Sequence, residues 1–286
     1  MRGILIPIGG NEDKGMGENE KYTHEFISKG ILANVLKESG GKDAKIVVIT
    51  TASSIPREVG ENYMDAFTKL GCKNISIIDI REREQSDTPE FLQLITEANC
   101  VMFSGGDQSK IVDKIGGTML HDIIRRKFAN EVFVLAGTSA GAMCMSVEMI
   151  SGGHSTEALF KGGVNMRDGM GFLPDVIIDT HFIQRGRFGR LTEAVAAFPK
   201  LLGLGLAEDT GLIIRNATEC EVIGSGMVII FDPSKLQHNN VGILKQGLPV
   251  SITNLTVNVL ACGDKIFLDD RHVEVMTMEE YDRIQS

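Results

Sequence analysis

The stretch EVFVLAGTSAGAMCMS, residues 131–146, decides the fold, because an apolar run, a serine between two glycines and a run of small residues follow one another. The apolar run predicts a buried strand, and the small residues predict the start of a helix. The segment 137–141 has the form G-x-S-x-G, the sharp strand-to-helix turn that exposes a serine above a sheet. The stretch therefore predicts an α/β sheet with Ser139 as a candidate nucleophile. The rival interpretation is a glycine-rich turn that packs closely or binds a phosphate.

Apolar runs rich in Val and Ile recur before this stretch and alternate with longer amphipathic segments. Such runs are typical of strands that are covered on both faces, and their alternation with helices predicts a doubly wound, mainly parallel sheet. In that architecture ligands bind beyond the carboxyl ends of the strands. The predicted strands are Gly3–Ile8, Ala44–Thr50, Asn74–Ile80, Cys100–Phe103 and Glu131–Ala136, and the predicted helices are Tyr22–Ser39, Pro56–Leu70, Pro89–Glu97 and Gln108–Lys127.

The second half of the chain continues the pattern and then changes character. A strand is predicted at Asp175–Asp179, a helix at Gly189–Phe198 and a further strand at Gly203–Ala207. From Gly211 onward the sequence alternates and is rich in turns, which favours antiparallel strands that finish or flank the main sheet. No linker or repeat interrupts the chain, so we expect one α/β domain over residues 1–286, with a β-rich part from about residue 211.

Composition excludes several classes of protein. The chain is 43% hydrophobic and 23% charged, which is typical of a folded globular protein. Its apolar runs are too short for a membrane span or a secretory signal, and its five cysteines are widely spaced and odd in number, which favours neither disulfides nor a metal site. A net charge of −9 argues against binding nucleic acid. We therefore expect a cytoplasmic protein that needs no cofactor or metal.

The stretch DTHFIQRGRFGRL, residues 179–191, supplies a candidate base. His181 follows a predicted strand, and an imidazole is the natural base for a serine because its ordinary pKa lies near neutrality. We expect it to meet Ser139 at a shared edge of the sheet. The same stretch concentrates three arginines, Arg185, Arg187 and Arg190, within six residues, although the protein as a whole is acidic. They predict binding of substrate carboxylates, since guanidinium groups bind carboxylates bidentately. A solvated basic surface is the alternative.

A histidine base also needs an acid to orient it, and the sequence offers two. Glu208 ends a predicted strand, whereas Glu157 lies in HSTEALF between the serine and the histidine. Spacing alone leaves both open. The backbone N–H groups of Gly106, in the turn after CVMF, and of Ala140 are the candidate donors to an oxyanion.

Five motifs in order resemble the cyanophycinases, which belong to the same serine peptidase family as aspartyl dipeptidase (peptidase E). They are GGNEDK (9–14), FSGGDQSKI (103–111), GTSAGA (137–142), DTHFIQRGRFGRL (179–191) and GLAEDTGL (205–212). The resemblance covers about residues 8–215. It implies a fold akin to that of class I glutamine amidotransferases, with serine instead of cysteine at the turn.

The resemblance also implies roles for single residues. Ser139 corresponds to the nucleophile and His181 to the base. The family's Ser-His-Glu triad falls on Glu208, although an acid between serine and histidine has been assigned in relatives, which keeps Glu157 open. Thr180 departs from the family, in which a glutamine can occupy that place. The positions that match the family's substrate pocket are Gln108, Asp179, Arg185, Arg187 and Arg190.

The activity that this resemblance implies is hydrolysis of cyanophycin, a poly-aspartate whose side-chain carboxyls carry arginine in amide linkage, with release of β-aspartyl-arginine dipeptides. A homodimer is implied as well. Asp107, Asp179 or Glu12 would then face the substrate's guanidinium groups. The alternatives are an α-aspartyl dipeptidase of the same fold and a non-catalytic anion-binding protein. Nucleotide binding is disfavoured, because GGNEDK lacks the G-x-G-x-x-G spacing.

Overall fold

The computed structural model describes residues 2–16, 25–154, 156–277 and 279–280. The strands of this part are β1 (Ile4–Ile8), β2 (Lys45–Ile49), β3 (Asn74–Ile78), β4 (Cys100–Phe103), β5 (Val134–Thr138), β6 (Glu148–Gly152), β7 (Asn165–Asp168), β8 (Val176–Asp179), β9 (Leu202–Leu206), β10 (Thr210–Arg215), β11 (Glu219–Gly224), β12 (Val228–Asp232), β13 (His238–Asn239), β14 (Ile252–Thr253), β15 (Thr256–Leu260), β16 (Lys265–Phe267) and β17 (Val273–Glu274). The α-helices are α1 (Ile31–Glu38), α2 (Pro56–Lys69), α3 (Pro89–Glu97), α4 (Gln108–Ile115), α5 (Met119–Asn130), α6 (Ala140–Met143) and α7 (Phe188–Ala197).

A large, mainly parallel sheet forms the centre of the fold, with the strand order β17-β16-β11-β10-β1-β5-β4-β2-β3. The strands from β1 to β3 in this order pair in parallel, whereas β10, β11, β16 and β17 pair antiparallel. Every residue of β4 and β5 is buried, as expected for strands that are covered on both faces. The predicted α/β class with antiparallel C-terminal strands is confirmed.

Helices cover both faces of this sheet because neighbouring residues of a strand point to opposite sides. Ile46 and Val48 of β2 pack with α1 and α2 in one buried cluster. Val47 and Ile49 belong to the cluster on the other face, which includes α3, α4, α5 and α6. The continuous apolar run of this strand therefore supplies two separate cores.

A second sheet, with the order β15-β12-β9-β8, packs into the second of these clusters. Its strands β8 and β9 run parallel, and β12 and β15 pair antiparallel to them. The expectation that the strand before His181 ends at an edge of the same sheet as the strand before Ser139 was wrong, because these strands lie in different sheets. The sequence shows that a strand is buried but not which strand it pairs with.

Glycines in β9 let the second sheet approach its neighbours closely. A Cβ at Gly203 would lie 2.8 Å from Val195 of α7, and one at Gly205 would lie 2.6 Å from the ring of Phe182. The alternating LGLGL pattern of β9 thus brings α7 and the segment after β8 against the sheet. These contacts hold the part of the chain that follows His181 against the second sheet.

Two predicted helices differ from the structure. The segment Gln108–Lys127 divides into α4 and α5 at Gly116-Gly117, where Gly117 has φ = 70°. Thr118 then caps α5 by accepting the N–H of His121. Of the predicted helix Tyr22–Ser39, residues 22–24 lie outside the described residues, and helix α1 begins only at Ile31. No helix of the described part has both the length and the apolar character that crossing a membrane requires.

Candidate active site

Ser139 lies in the turn between β5 and α6, with φ = 51° and ψ = −110°. A non-glycine residue at positive φ stores about 1–3 kcal/mol of strain, which the surrounding structure has to hold. The Ser139 N–H donates to the carbonyl of Ile8 at 2.9 Å. A Cβ at Gly137 would lie 2.4 Å from the carbonyl oxygen of Gly141, so this side of the turn has no room for a side chain. The strained turn presents the serine hydroxyl at the end of the sheet.

His181 follows β8 directly and also has a positive φ, of 46°. Its N–H donates to the carbonyl of Gly9 at 2.8 Å, which joins the two sheets at this point. Its ring lies against Gly10, where a Cβ would come within 2.4 Å of Cε1. The imidazole Nε2 is 3.0 Å from Ser139 Oγ. The candidate nucleophile and base are therefore within hydrogen-bonding distance although they come from different sheets.

Glu208, directly after Ala207 at the end of β9, orients the imidazole. Its Oε1 lies 2.7 Å from His181 Nδ1, and its Oε2 accepts from Asn11 Nδ2 at 3.1 Å. A carboxylate can only accept, so Nδ1 carries the proton and Nε2 is left to accept from the Ser139 hydroxyl. Glu157, the other candidate acid, is an exposed turn residue whose N–H donates to the carbonyl of His154.

The pKa values of this pair suit proton transfer near neutrality. Burial lowers the pKa of His181, and Arg185 and Arg187 lower it further, so that it stays below the ordinary 6.5 despite the carboxylate of Glu208. Burial by itself would raise the pKa of Glu208, but the hydrogen bonds from His181 and Asn11 outweigh it and hold that pKa below its ordinary value. At neutral pH the imidazole is neutral and the glutamate is ionised.

Ser139, His181 and Glu208 open into a cleft of about 620 Å³. The Gly105-Gly106 turn forms one wall, and a Cβ at Gly105 would lie 3.4 Å from the Cβ of Ser139. Gly106 has φ = 142°, and a Cβ there would lie 2.1 Å from the carbonyl oxygen of Ala52. This wall of the cleft is therefore formed by backbone atoms that lie beside Ser139. The described residues contain no group of three or more His, Cys, Asp or Glu side chains that could hold a metal ion.

Five of the six residues assigned to a substrate pocket are buried or half-buried. Asp179 is fully buried and accepts from Arg187 at 3.0 Å and from Arg190 at 2.8 and 2.5 Å. Thr180 is fully buried too, and its Oγ1 has no hydrogen-bond partner in the described part of the chain. Gln108 Nε2 donates to the carbonyl of Ile150 at 2.8 Å. Burial lowers the pKa of Arg187 to about 10, and this residue keeps its charge at neutral pH.

Arg185 is the sixth of these residues, and it is exposed and lines the cleft. Residues to which the sequence assigned no catalytic part line the cleft as well: Asn11, which holds Glu208, Lys14, and Tyr63 of α2. The glycine turn that contains Asn11 carried a signal, because it ends the first strand. Tyr63 carried none, since within α2 it matches an ordinary core position.

The chain is similar to proteins of a known peptidase family. The model of Peptidase family S51 matches residues 16–222. The chain is 36% identical over 269 residues to the cyanophycinase of Trichormus variabilis, an alignment that covers 94% of this chain and 87% of that protein. It is 34% identical over 265 residues to the cyanophycinase of Geminocystis herdmanii, with 93% of each chain covered.

Solved structures show the same fold at lower identity. The crystal structure of a peptidase from an acI-B1 Actinobacterium superposes with a TM-score of 0.63 at 23% identity, over 93% of this chain and 97% of that one. A putative peptidase E from Listeria monocytogenes superposes with a TM-score of 0.50 at 17% identity, over 77% and 96%.

Proposed function

The chain belongs to peptidase family S51, and from that premise we propose that it is a serine exopeptidase that hydrolyses the poly-aspartate backbone of cyanophycin and releases β-aspartyl-arginine dipeptides. The curated relatives that carry the name cyanophycinase support this choice of substrate. One observation carries the chemistry: Ser139 Oγ, the His181 ring and the Glu208 carboxylate form a continuous chain of hydrogen-bonding distances of 3.0 and 2.7 Å.

In the proposed mechanism Ser139 attacks a backbone carbonyl of the substrate and His181 accepts its proton at Nε2. The imidazolium then gives this proton to the leaving amine, and an acyl-enzyme remains. Glu208 stays ionised throughout and stabilises the imidazolium through Nδ1. Water, deprotonated by His181, releases the acyl group in the second half of the reaction.

The N–H groups of Gly106 and Ala140 are the proposed donors to the oxyanion. Ala140 begins α6 directly after the nucleophile, and the Gly105-Gly106 turn lies against Ser139. Fixed donors aimed at the developing charge account for about 3–4 kcal/mol of barrier lowering each in comparable enzymes. In this proposal Arg185 contacts the substrate. The wall behind it is shaped by the buried Asp179, Thr180 and Arg190 and the half-buried Gln108 and Arg187.

The test is incubation of the purified protein with cyanophycin, followed by mass analysis of the products. We expect β-aspartyl-arginine dipeptides to accumulate from the start, as an exopeptidase requires. Asp-X dipeptides are the matched rival substrates, because an aspartyl dipeptidase of this fold would cleave them and leave the polymer intact. Cleavage of these dipeptides alone would replace the proposed substrate.

Ser139→Ala tests the nucleophile itself. We expect kcat/KM on cyanophycin to fall by about 10⁴- to 10⁶-fold while the dissociation constant for the polymer changes little. Binding without turnover in the unmodified protein would instead favour the anion-binding alternative. The proposal also includes a cytoplasmic homodimer, for which light scattering of the purified protein gives the mass.

A further inference from the structure

A buried carboxylate that takes no part in the triad lies directly behind the cleft. Glu12 is 2% exposed, its Oε2 accepts from Thr138 Oγ1 at 2.6 Å, and its Oε1 accepts from the hydroxyl of Tyr63. Lys14 Nζ lies 3.1 Å from the same Oε1. Burial would raise the pKa of Glu12, but the lysine and the two hydroxyl donors outweigh it and hold that pKa below its ordinary value. Glu12 is thus an ionised group that three donors hold in place, and one of these donors, Thr138, directly precedes Ser139 in the chain.

Glu12 in turn fixes the ammonium group of Lys14. The Nζ atom lies 3.3 Å from the Glu12 carbonyl oxygen and 5.0 Å from the centroid of the Tyr63 ring. The Lys14 side chain is 20% exposed and lines the cleft together with Ser139. An ammonium has three N–H donors, and in the described part of the chain two of them reach oxygens of Glu12. One donor is left for a ligand.

The other basic side chains near the site differ from Lys14 in the groups that they bind. Arg187 and Arg190 are both bound to the buried Asp179, which directs the two guanidinium groups into the protein. The basic side chains that line the cleft, within the described residues, are those of Lys14 and Arg185. Of the three arginines that the sequence indicated, Arg185 alone lines the cleft within the described residues, so a substrate carboxylate that enters it meets Lys14 and Arg185.

We propose that the Lys14 ammonium, fixed by Glu12 and Tyr63, is a specificity-determining group that binds a carboxylate of the substrate. This inference rests on the proposed function. Two carboxylates of cyanophycin have this chemistry: the free α-carboxylate at the end of the backbone, and the carboxylate that each arginine keeps when its amino group is acylated. A fixed charge contributes more to selection than a mobile one, because less side-chain freedom is lost on binding.

The test uses Lys14→Met, which keeps the length of the side chain and removes its charge, and three short synthetic oligomers. The first is an oligomer of β-aspartyl-arginine units whose backbone ends in a free carboxylate. In the second, a carboxamide replaces that terminal carboxylate. The third carries agmatine in place of arginine and so lacks the arginyl carboxylates. We expect Lys14→Met to lower kcat/KM on the first oligomer by about 10- to 100-fold. The unmodified enzyme should be slowed to a similar degree by the oligomer that lacks the bound carboxylate, and Lys14→Met should slow that oligomer no further.

Whichever of the two altered oligomers loses its sensitivity to Lys14→Met identifies the carboxylate. The control Lys73→Met removes one charge from an exposed turn outside the cleft and should leave all three rates unchanged. Lys14→Arg should retain most of the discrimination. If Lys14→Met does not fold, Glu12→Gln with Lys14→Met removes both charges of the pair and serves in its place.

Equal losses on all three oligomers, or no loss on any, would overturn the assignment of Lys14. Dissociation constants measured in a Ser139→Ala background separate this result from a failure of the proposed function. If the unmodified protein hydrolyses none of the oligomers, the proposed peptidase activity fails. Even then, adding Lys14→Met to the Ser139→Ala variant must weaken its binding of the oligomer that has both carboxylates. Unchanged binding of this oligomer would refute the inference about Lys14 by itself.

Discussion

At the scale of single residues, the acid of the proposed triad gives the sharpest choice. Glu208 Oε1 lies 2.7 Å from His181 Nδ1, whereas Glu157 is exposed in a turn. Glu208→Gln keeps the size of the side chain, but its amide group can donate to Nδ1 and so favour the wrong tautomer of the imidazole. We therefore expect kcat to fall by about 10²- to 10⁴-fold. Glu157→Gln is the matched control and should remain within about twofold of the unmodified rate. Steady-state kinetics on cyanophycin decide, and a larger loss for Glu157→Gln would reverse the assignment.

The acid side of the pH profile reports on His181. Its pKa is lowered by burial and by Arg185 and Arg187, so kcat/KM should stay high below pH 6.5 and fall only as pH drops through the lowered value. Arg185→Met removes one of the positive neighbours. The pKa of His181 should then rise, and the acid side of the kcat/KM profile should move to higher pH. A shift to lower pH, or none, would contradict the electrostatic role of Arg185.

The sequence indicated the individual groups of the proposed triad but not their contacts. Ser139 could be predicted because a strained turn requires glycines at fixed offsets, and His181 because it ends a strand. Glu208 stayed one of two options, since the distance that selects it joins residues 27 positions apart in the chain. Glu12, Lys14 and Tyr63 form one network across α2 and the first loop, and no local pattern encodes that meeting.

At the scale of elements, the loop after β1 supports the ring of His181. Gly10 has φ = 105°, and a Cβ there would lie 2.4 Å from Cε1 and 2.5 Å from Nε2 of that ring. Gly10→Ala should therefore displace the imidazole and reduce kcat by about 10²-fold, as misplacements of about 1 Å do.

Gly40 provides a matched control because it has the same φ of 105° and nothing within 4 Å of its added Cβ. Gly40→Ala carries the same backbone strain without the clash. We expect Gly10→Ala to lose at least as much unfolding free energy in urea as Gly40→Ala, and Gly10→Ala alone to lose activity. Equal activity of the two variants would show that the loop does not position His181.

The elements themselves were predicted closely where a single buried run or a proline marks them. Pro89–Glu97 and Cys100–Phe103 begin and end at the predicted residues. The helix predicted over Gln108–Lys127 missed the break at Gly116-Gly117, although two adjacent glycines together cost a helix about 2 kcal/mol. The pairing of the strands could not be predicted from the sequence, because β8 and β9 are as apolar as strands of the central sheet but belong to the second sheet.

At the scale of the whole molecule, the site lies where two sheets meet. The central sheet supplies Ser139, and the second sheet supplies His181 and Glu208 from the ends of β8 and β9. The His181 N–H bonds to the carbonyl of Gly9, and the Asp209 N–H bonds to that of Gly10. The strands from Thr210 onward belong to both sheets, with β10 and β11 in the central one and β12 in the second. The C-terminal part therefore connects the two sheets that carry the residues of the proposed triad.

The ion-paired cluster of Asp179, Arg187 and Arg190 holds the second sheet at this junction. Asp179 ends β8, Arg190 lies in α7, and Arg190 also donates to the carbonyl of Gly153. Removing one partner of a buried pair leaves the other charge uncompensated, so Asp179→Asn should lower the free energy of unfolding by about 3–5 kcal/mol. Asp175→Asn, an exposed change just before β8, should stay within about 0.5 kcal/mol. Urea titration measures both, and a raised KM with unchanged stability in Asp179→Asn would instead make this carboxylate a substrate ligand.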